Sequence, residues 1–322
     1  MRSRKMHEAE VVERLRRIAT DPAARGLIDD AALLDGLVIT HDSIAEGIHF
    51  LPFDPPSSVG WKLVAVNLSD LAAKGATPAG ALLSLTIAGD DEWEDEFLTG
   101  IEAACESYAL PLIGGDTIAL PEGAPRVLGL TAIGRAGDKV PDRSGGKAGD
   151  TLWLVGTVGD SAAGLAQLLD DVNATGPLVD IYRRPVPQLA VGQAVAPHAK
   201  AMMDVSDGLL LDALRLAQAS KCAAEIDLEG VPLSDAFLKE RGEARLFAAT
   251  GGDDYALLVA LPADLDPSTL SLPPGTRIGR IGALVAGKPA IRLTSAGRPI
   301  ALPERLGHEH RSSSVPPVAD RP

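Results

Sequence analysis

Aspartates recur at the ends of apolar segments throughout this chain. A charge placed where a strand or helix leaves the core must be paired or bound to a cation, and few basic residues lie beside these aspartates. Carboxylates without neighbouring cysteine or histidine ligands suit Mg²⁺, which prefers oxygen. The pattern therefore indicates phosphate chemistry supported by magnesium. The aspartates concerned are Asp29, Asp30, Asp42, Asp70, Asp116, Asp204 and Asp207.

Two of these segments are more specific than the others. Gly114 and Gly115 precede Asp116 and would let the backbone approach a ligand closely. Asp204 and Asp207 flank a Val-Ser pair and precede a glycine. Each segment has a structural alternative, namely a local β-turn at Asp116 and a helix cap at Asp207. Recurrence of the pattern at five places favours a shared function over five separate structural roles.

Length and composition restrict the class of protein. The 322 residues are enough for two domains, and 46% hydrophobic with 23% charged residues is ordinary for a globular enzyme. The net charge of −14 argues against general binding of nucleic acid or anionic membranes. No apolar run approaches the roughly 20 residues of a membrane span, and no signal peptide is visible at the N-terminus. We expect a cytoplasmic protein whose two cysteines are buried free thiols.

Alternating strand and helix patterns in both halves predict a mixed α/β protein. The segment from 136 to 150 has no hydrophobic periodicity and is the best domain boundary. We therefore predict an N-terminal α/β domain over 1–137, a C-terminal α/β domain over 138–311 and a disordered tail over 312–322. A helix from about Ser58 to Lys74 is expected to carry Asp70 on its apolar face.

Several common nucleotide-binding and catalytic motifs are absent from the sequence. There is neither a Walker A loop nor a kinase-type glycine-rich loop with its catalytic partner. The six histidines are scattered and none has zinc-type spacing. Gly159–Gly164 is interpreted as a tight turn at a helix start rather than as a phosphate loop.

A series of motifs, taken together and in this order, resembles the thiamine-monophosphate kinase family from about residue 8 to residue 310. Single pieces also occur in the wider superfamily of aminoimidazole ribonucleotide synthetase-like enzymes. The motifs are Asp29–Leu34, Thr40–Ser43, Glu46–Phe50, Gly60–Lys62, Ala65–Ala73, Leu112–Thr117, Asp142–Gly145, Gly159–Leu165, Asp204–Leu209 and Gly251–Tyr255.

The resemblance implies a two-domain aminoimidazole ribonucleotide synthetase-like fold whose N-terminal mixed sheet pairs across a homodimer. It also implies ATP- and Mg²⁺-dependent phosphorylation of thiamine monophosphate to thiamine diphosphate. By matching positions, the implied magnesium ligands are Asp30, Thr40, Asp42, Asp70, Asp116, Asp204 and Asp207. The implied nucleotide contacts are Tyr108, Gly115, Asp116, Arg143 and Ser206, and the implied acceptor contacts are His49, Asp253 and His308.

Four positions depart from the family pattern. Ile28 replaces a usual glycine, His41 a usual threonine, and Asp253 a common glutamate that is one methylene longer. His308 stands in a segment where an aromatic residue is common, and histidine stacks on a thiamine ring less well. These changes concern the acceptor pocket more than the metal site.

Charge alone suggests how such a reaction would be catalysed. ATP, a phosphate monoester and several carboxylates can meet only if divalent cations neutralise them. We assign the catalytic roles to Asp42, Asp70 and Asp116 as metal ligands at the phosphates, and to Arg143 as a forked donor. The acceptor monoester has a second pKa of about 6. No protein base is therefore required, and direct in-line transfer without a phosphoenzyme is expected.

Two alternatives stay open at this point. The first is a related ATP-dependent enzyme of the same superfamily that acts on another small acceptor. The second is a non-catalytic relative that binds a nucleotide or thiamine phosphate but no longer positions the acceptor.

Overall fold

The computed structural model describes residues 8–121 and 123–308. The predicted tail over 312–322 lies outside these residues. The N-terminal half contains three helices, α1 (Glu8–Arg16), α2 (Pro56–Ala73) and α3 (Asp91–Ser107). Its strands are β1 (Ala32–Leu34), β2 (Leu37–Ala45), β3 (Thr77–Ile87), β4 (Leu112–Ala119) and β5 (Val127–Arg135).

These five strands form one mixed sheet in the order β1-β2-β5-β3-β4. Only β3 and β4 are parallel, and α3 makes the crossover between them. Along β2 the even-numbered residues from Val38 to Ile44 face α2, because side chains alternate between the two faces of a sheet. The opposite face carries His41 and Ser43, both of which are exposed.

Strand β4 occupies one edge of this sheet, and all eight of its residues are exposed. Three of them are large and apolar, namely Leu112 at 49%, Ile113 at 60% and Ile118 at 55% exposure. An uncovered edge with unpaired backbone groups and apolar side chains is a surface suited to pairing with another chain.

The C-terminal half forms a seven-stranded sheet. The strands are β6 (Thr151–Val155), β7 (Ala201–Val205), β8 (Ala223–Asp227), β9 (Ala256–Leu261), β10 (Ile278–Val285), β11 (Ile291–Ser295) and β12 (Arg298–Ile300). Their order in the sheet is β12-β11-β8-β10-β6-β9-β7. Neighbours are antiparallel except β11 and β8. The helices are α4 (Asp160–Asp170), α5 (Pro177–Arg183), α6 (Leu189–Val195), α7 (Leu209–Ala219), α8 (Asp235–Arg241) and α9 (Arg245–Thr250).

Helix α2 joins the two halves. It packs on α3 and on the N-terminal sheet, and it also contacts α6 and β7 of the C-terminal half. Most of its residues are buried, so it lacks the single apolar face expected from its sequence. Polar groups along this helix, including Lys62 and Asp70, are therefore held inside the protein. Where they point decides what the helix contributes to function.

The remaining expectations about the chain can be compared briefly with the structure. The mixed α/β architecture is confirmed. Both Cys105 and Cys222 are free; Cys222 is buried, but Cys105 is only half-buried. Among the described residues, no helix combines the length and the apolar character that crossing a bilayer would require.

Candidate active site

A cavity of about 1420 Å³ lies between the two halves of the chain. It exceeds the roughly 300–1000 Å³ of a typical small-molecule site, so it has room for two ligands. Ten of the residues singled out from the sequence line it. They are Asp30, Asp42, His49, Asp70, Arg143, Asp204, Ser206, Asp207, Asp253 and His308.

Three carboxylates meet at the base of this cavity. Ligand oxygens of Asp30, Asp70 and Asp204 lie within 4.8 Å of one another. They come from the loop before β1, from α2 and from β7 respectively. We call these three residues the acidic cluster. Residues 174 positions apart are thus brought together because α2 packs against both sheets.

Hydroxyl groups complete the surroundings of two of these carboxylates. Thr40, which is buried on β2, donates a hydrogen bond to Asp70, and Ser69 donates to Asp204 at 2.7 Å. Within residues 8–121 and 123–308, neither Asp70 nor Asp204 forms an ion pair with a basic side chain. Burial, reinforced by the charge of Asp30, raises the pKa of Asp204 to about 8. Burial and the nearby charges of Asp42 and Asp204 raise the pKa of Asp70 well above its usual range.

Asp30 differs from the other two because it has basic partners. Its carboxylate pairs with the guanidinium of Arg143 and, at 2.7 Å, with the ammonium of the fully buried Lys74. Burial opposes ionisation, but these two cations outweigh it and hold the pKa of Asp30 at about 2. The neighbouring Asp29 also pairs with Lys74, at 2.5 Å, and it pairs with Arg25. Asp30 therefore connects Arg143 and Lys74 to the other two carboxylates of the acidic cluster.

The turn after β7 is fixed by a buried carboxylate on α7. Asp212 accepts hydrogen bonds from the backbone N–H groups of Ser206 at 3.1 Å and Asp207 at 3.0 Å. Arg215 donates to Asp212 at 2.8 Å and to the carboxylate of Asp207 at 2.5 Å. Asp207 is therefore not the helix cap considered from the sequence, since the N-cap position is Gly208. Burial raises the pKa of Asp212 to about 6, although Arg215 opposes this shift.

The expected acceptor contacts lie along another part of the same cavity. His49 accepts the backbone N–H of Ala45 at its Nδ1 atom, at 3.0 Å. Asp253 belongs to the loop between α9 and β9, and its backbone N–H donates to the carbonyl of Ser206 at 2.6 Å. The backbone N–H of His308 donates to the carbonyl of Asp207 at 2.8 Å. The backbone thus connects two of the expected acceptor residues, Asp253 and His308, to the 206–207 turn.

Four predicted site residues do not line this cavity. Thr40 lies just behind it, in contact with Asp70. Of the other three, Gly115 and Asp116 belong to the edge strand β4, whereas Tyr108 follows α3 and packs edge-on against Trp61 on α2.

Strand register shows how far Asp116 is from Asp42. Asp42 pairs with Leu130, Leu130 with Leu83, and Leu83 with Gly115, which places three strand spacings, about 14 Å, between β2 and β4. Asp116 pairs with Ser84, one position further along, and so projects from the face opposite to Asp42. One chain therefore does not bring these two carboxylates together.

Sequence reasoning named Arg143 but missed three other basic groups and one carboxylate of the site. Lys62, Lys74 and Arg215 each pair with an aspartate that the sequence singled out, and Asp212 orients the 206–207 turn. Lys62 and Lys74 are far from their partners in sequence. Only Arg215 and Asp212 carried a local signal, because they lie within two turns of Asp207 at the start of a helix.

Comparison with known proteins gives the family of this chain. The model for the N-terminal domain of AIR synthase related proteins matches residues 28–136, and the model for their C-terminal domain matches residues 147–289. The thiamine-monophosphate kinase of Escherichia coli K12 is 38% identical over 305 residues, which cover 88% of this chain and 91% of that protein. The chain belongs to the thiamine-monophosphate kinase family. Its Caulobacter vibrioides relative is 37% identical and covers 94% of this chain.

A solved structure of a family member is also similar over almost the whole chain. AaThiL complexed with AMPPCP and TMP superimposes with a TM-score of 0.82 at 28% identity, covering 96% of this chain and all of that one. The thiamine-monophosphate kinase of Stenotrophomonas maltophilia K279a, at 33% identity, gives a TM-score of 0.70. The two-domain fold implied by the sequence motifs is thereby confirmed.

Proposed function

We propose that this protein transfers the γ-phosphate of ATP to thiamine monophosphate, which yields thiamine diphosphate and ADP. The observation that carries the proposal is the single cavity in which a buried acidic cluster lies beside Arg143, with the expected acceptor contacts in the same cavity. Membership of the kinase family supports the same reaction, as does the similarity to AaThiL complexed with AMPPCP and TMP.

The acidic cluster has the chemistry of a magnesium site. Its oxygens are hard ligands, and Asp70 and Asp204 are stabilised by hydroxyl donors rather than neutralised by cations. Asp30, Asp70 and Asp204 would hold Mg²⁺, with Asp42, Asp207 and the hydroxyl of Thr40 as further ligands. When bound, the ions supply positive charge that neutralises the phosphates of both substrates.

The chain's own residues orient the reacting groups. Arg143 is half-buried beside Asp30 and presents a forked donor to phosphate oxygens in the cavity. Asp212 and Arg215 hold the 206–207 turn in place. The hydroxyl of Ser206 is thereby positioned to contact the nucleotide. The acceptor monoester has a second pKa of about 6 and is largely a dianion at neutral pH. Direct transfer therefore requires no protein base, and trapping a phosphorylated side chain would contradict it.

The proposed site is completed by a second copy of the chain. Asp116 and Gly115 lie on the exposed edge strand β4, on the far side of the sheet from the acidic cluster. Pairing of this edge with a partner's N-terminal sheet would cover its apolar residues and present Asp116 and Tyr108 to the partner's cavity. The variant Ile118→Lys places a charge on this edge and should produce monomers in sedimentation velocity. An unchanged dimer, or a wild-type monomer, would contradict this arrangement.

The assay for the reaction also separates the alternatives. The protein is incubated with ATP, Mg²⁺ and thiamine monophosphate, and both ADP and thiamine diphosphate are measured. Equal amounts of the two products are expected. ADP without thiamine diphosphate would indicate a related enzyme with another acceptor. Binding of both ligands without turnover would indicate a non-catalytic relative.

A further inference from the structure

Lys62 is a buried cation that the mechanism described so far does not use. It lies on α2 with 2% of its surface exposed. Its ammonium donates to the backbone carbonyl of His49 at 3.0 Å and pairs with the carboxylate of Asp253. It also lies 4.2 Å from the centroid of the Tyr182 ring, on α5. A single cation thus contacts His49 and Asp253, two of the three residues expected to bind the acceptor.

The carboxylate of Asp253 is held more firmly than an exposed loop residue would be. Besides Lys62, it accepts hydrogen bonds from the hydroxyl of Ser161 at 3.1 Å and from that of Tyr255 at 2.7 Å. The residue has a φ of 70°, in the left-handed region, which is uncommon for residues other than glycine although aspartate is found there more often than most. The ion pair with Lys62 and the two hydroxyl donors hold its side chain in this setting.

Lys62 also connects the two halves of the molecule. It belongs to the N-terminal half, as does the turn that contains His49, whereas Asp253 and Tyr182 belong to the C-terminal half. Tyr255, two residues after Asp253, packs into the hydrophobic core of the N-terminal half. The position of Asp253 relative to His49 is therefore set at this contact between the halves.

We infer that Lys62 is a positioning residue for the acceptor, because it holds the Asp253 carboxylate and the turn that contains His49 at a fixed distance from each other. The inference rests on the proposed function and assigns a role within the same site. Lys62 does not contact the reacting phosphates in this account. It acts through Asp253, whose carboxylate it holds by an ion pair.

The test uses a double-mutant cycle in the full-length protein. Steady-state kinetics are measured for Lys62→Met, Asp253→Asn and the double variant, with thiamine monophosphate and ATP varied separately. Lys62→Met should raise the KM for thiamine monophosphate about tenfold and leave the KM for ATP within about twofold. Because Lys62 acts through Asp253, the kcat/KM of the double variant for thiamine monophosphate should be only slightly lower than that of the less active single variant.

The control variant is Lys239→Met, which removes the same charge from an exposed position on α8 and should change neither KM. Losses of kcat/KM that add up in the double variant would overturn the inference. Equal rises in the KM values for both substrates would also overturn it, because loss of a purely structural ion pair would affect both substrates alike. Ser161→Ala gives a second route if Lys62→Met does not fold. It removes one other donor to Asp253 and should raise the KM for thiamine monophosphate a few-fold; no change would count against the role of Asp253's partners.

The same experiment separates this inference from the proposed function. A wild-type protein that forms no thiamine diphosphate contradicts the function itself and the inference with it. An active wild type with an unaltered Lys62→Met variant contradicts only the role of Lys62.

Discussion

The acidic cluster and the edge strand β4 place the same type of residue in opposite surroundings. Asp70 and Asp204 are almost fully buried, at 7% and 3% exposure, and they lie within 4.8 Å of Asp30. Asp116 stands on a strand whose residues are all exposed. In the first region the carboxylates repel one another in a medium that cannot screen them. In the second, water stabilises the charge.

The difference shows that one sequence pattern serves two physical purposes. The buried carboxylates carry an energetic cost that a bound cation would relieve, so their site is prepared within one chain. The exposed carboxylate carries no such cost, and it can serve the reaction only when another surface desolvates it. The first region predicts effects of metal and pH on stability, and the second predicts effects of assembly on activity.

The largest expected effect comes from removing one carboxylate of the cluster. Asp70→Asn should lower kcat/KM by about 1000-fold or more, because a ligand at the phosphates is lost. At pH 8.5 in EDTA it should also raise the Tm, since asparagine removes one of several crowded negative charges. Activity assays and thermal melts measure the two effects.

The matched control is Asp54→Asn, which alters a buried aspartate with partners of its own. Asp54 accepts from Arg183 at 2.9 Å and from the Tyr182 hydroxyl at 3.1 Å. This variant should lower the Tm. If Asp70→Asn lowers the Tm as well, the cluster is not under electrostatic strain.

The second effect concerns Asp116. Asp116→Ala should lower kcat/KM by about 100-fold without changing the Tm, because the residue is exposed and makes little contribution to the fold. If Asp116 serves the partner's cavity, mixing this variant with Asp70→Asn should restore activity in heterodimers. Random exchange of subunits would give about a quarter of wild-type activity, because half the dimers would each hold one intact site.

Complementation is measured after co-refolding or co-expression of the two variants. Absence of any recovery, when heterodimers are present by native mass spectrometry, would contradict a site shared between subunits.

The third effect is the pH dependence of magnesium binding. An aspartate in the unfolded chain has a pKa near 3.9, whereas Asp204 in the folded protein has a pKa of about 8. Between these values the folded state binds more protons, so the stability of the metal-free protein should fall as pH rises and level off above about pH 8. Mg²⁺ must displace those protons, so its affinity should rise about tenfold per pH unit for each proton released.

Thermal melts with and without Mg²⁺ at pH 6 and pH 8.5 check this prediction, with NaCl of equal ionic strength as the control. A larger Mg²⁺-induced rise in Tm is expected at pH 8.5. An equal rise at both pH values would show that the cation does not bind at Asp70 and Asp204.

Much of the fold could be predicted from local patterns. The helix expected from about Ser58 to Lys74 corresponds to α2, and the turn expected at Gly159–Gly164 begins α4, because hydrophobic periodicity is strong in these segments and glycine or proline marks their ends. The short helices α5, α8 and α9 and the last three strands were not predicted. Each has only a few residues, and packing against a sheet rather than intrinsic propensity stabilises such elements.

The candidate site was predicted in part. The aspartates at strand and helix ends were found because a charge there is costly unless it is paired or bound to a cation, whereas His49, Ser206, Asp253 and His308 came only from the family resemblance. Arg143 was also named, but Lys62 and Lys74 were not, because they lie in apolar helical sequence and meet their aspartates only through contacts distant along the chain. Whether a carboxylate binds a metal ion, pairs with basic side chains or orients a neighbouring turn depends on these partners.

The sequence by itself determined the family, the two-part α/β organisation and the type of chemistry, since these depend on residue types, spacing and charge. The tertiary structure decided which charges are desolvated and which face each one points to. It buried Asp70 and Asp204 together, tied Asp30 to Arg143 and Lys74, and left Asp116 at an open edge. Electrostatic energy depends on distance and on exclusion of water, and neither quantity is set until the two sheets pack around α2.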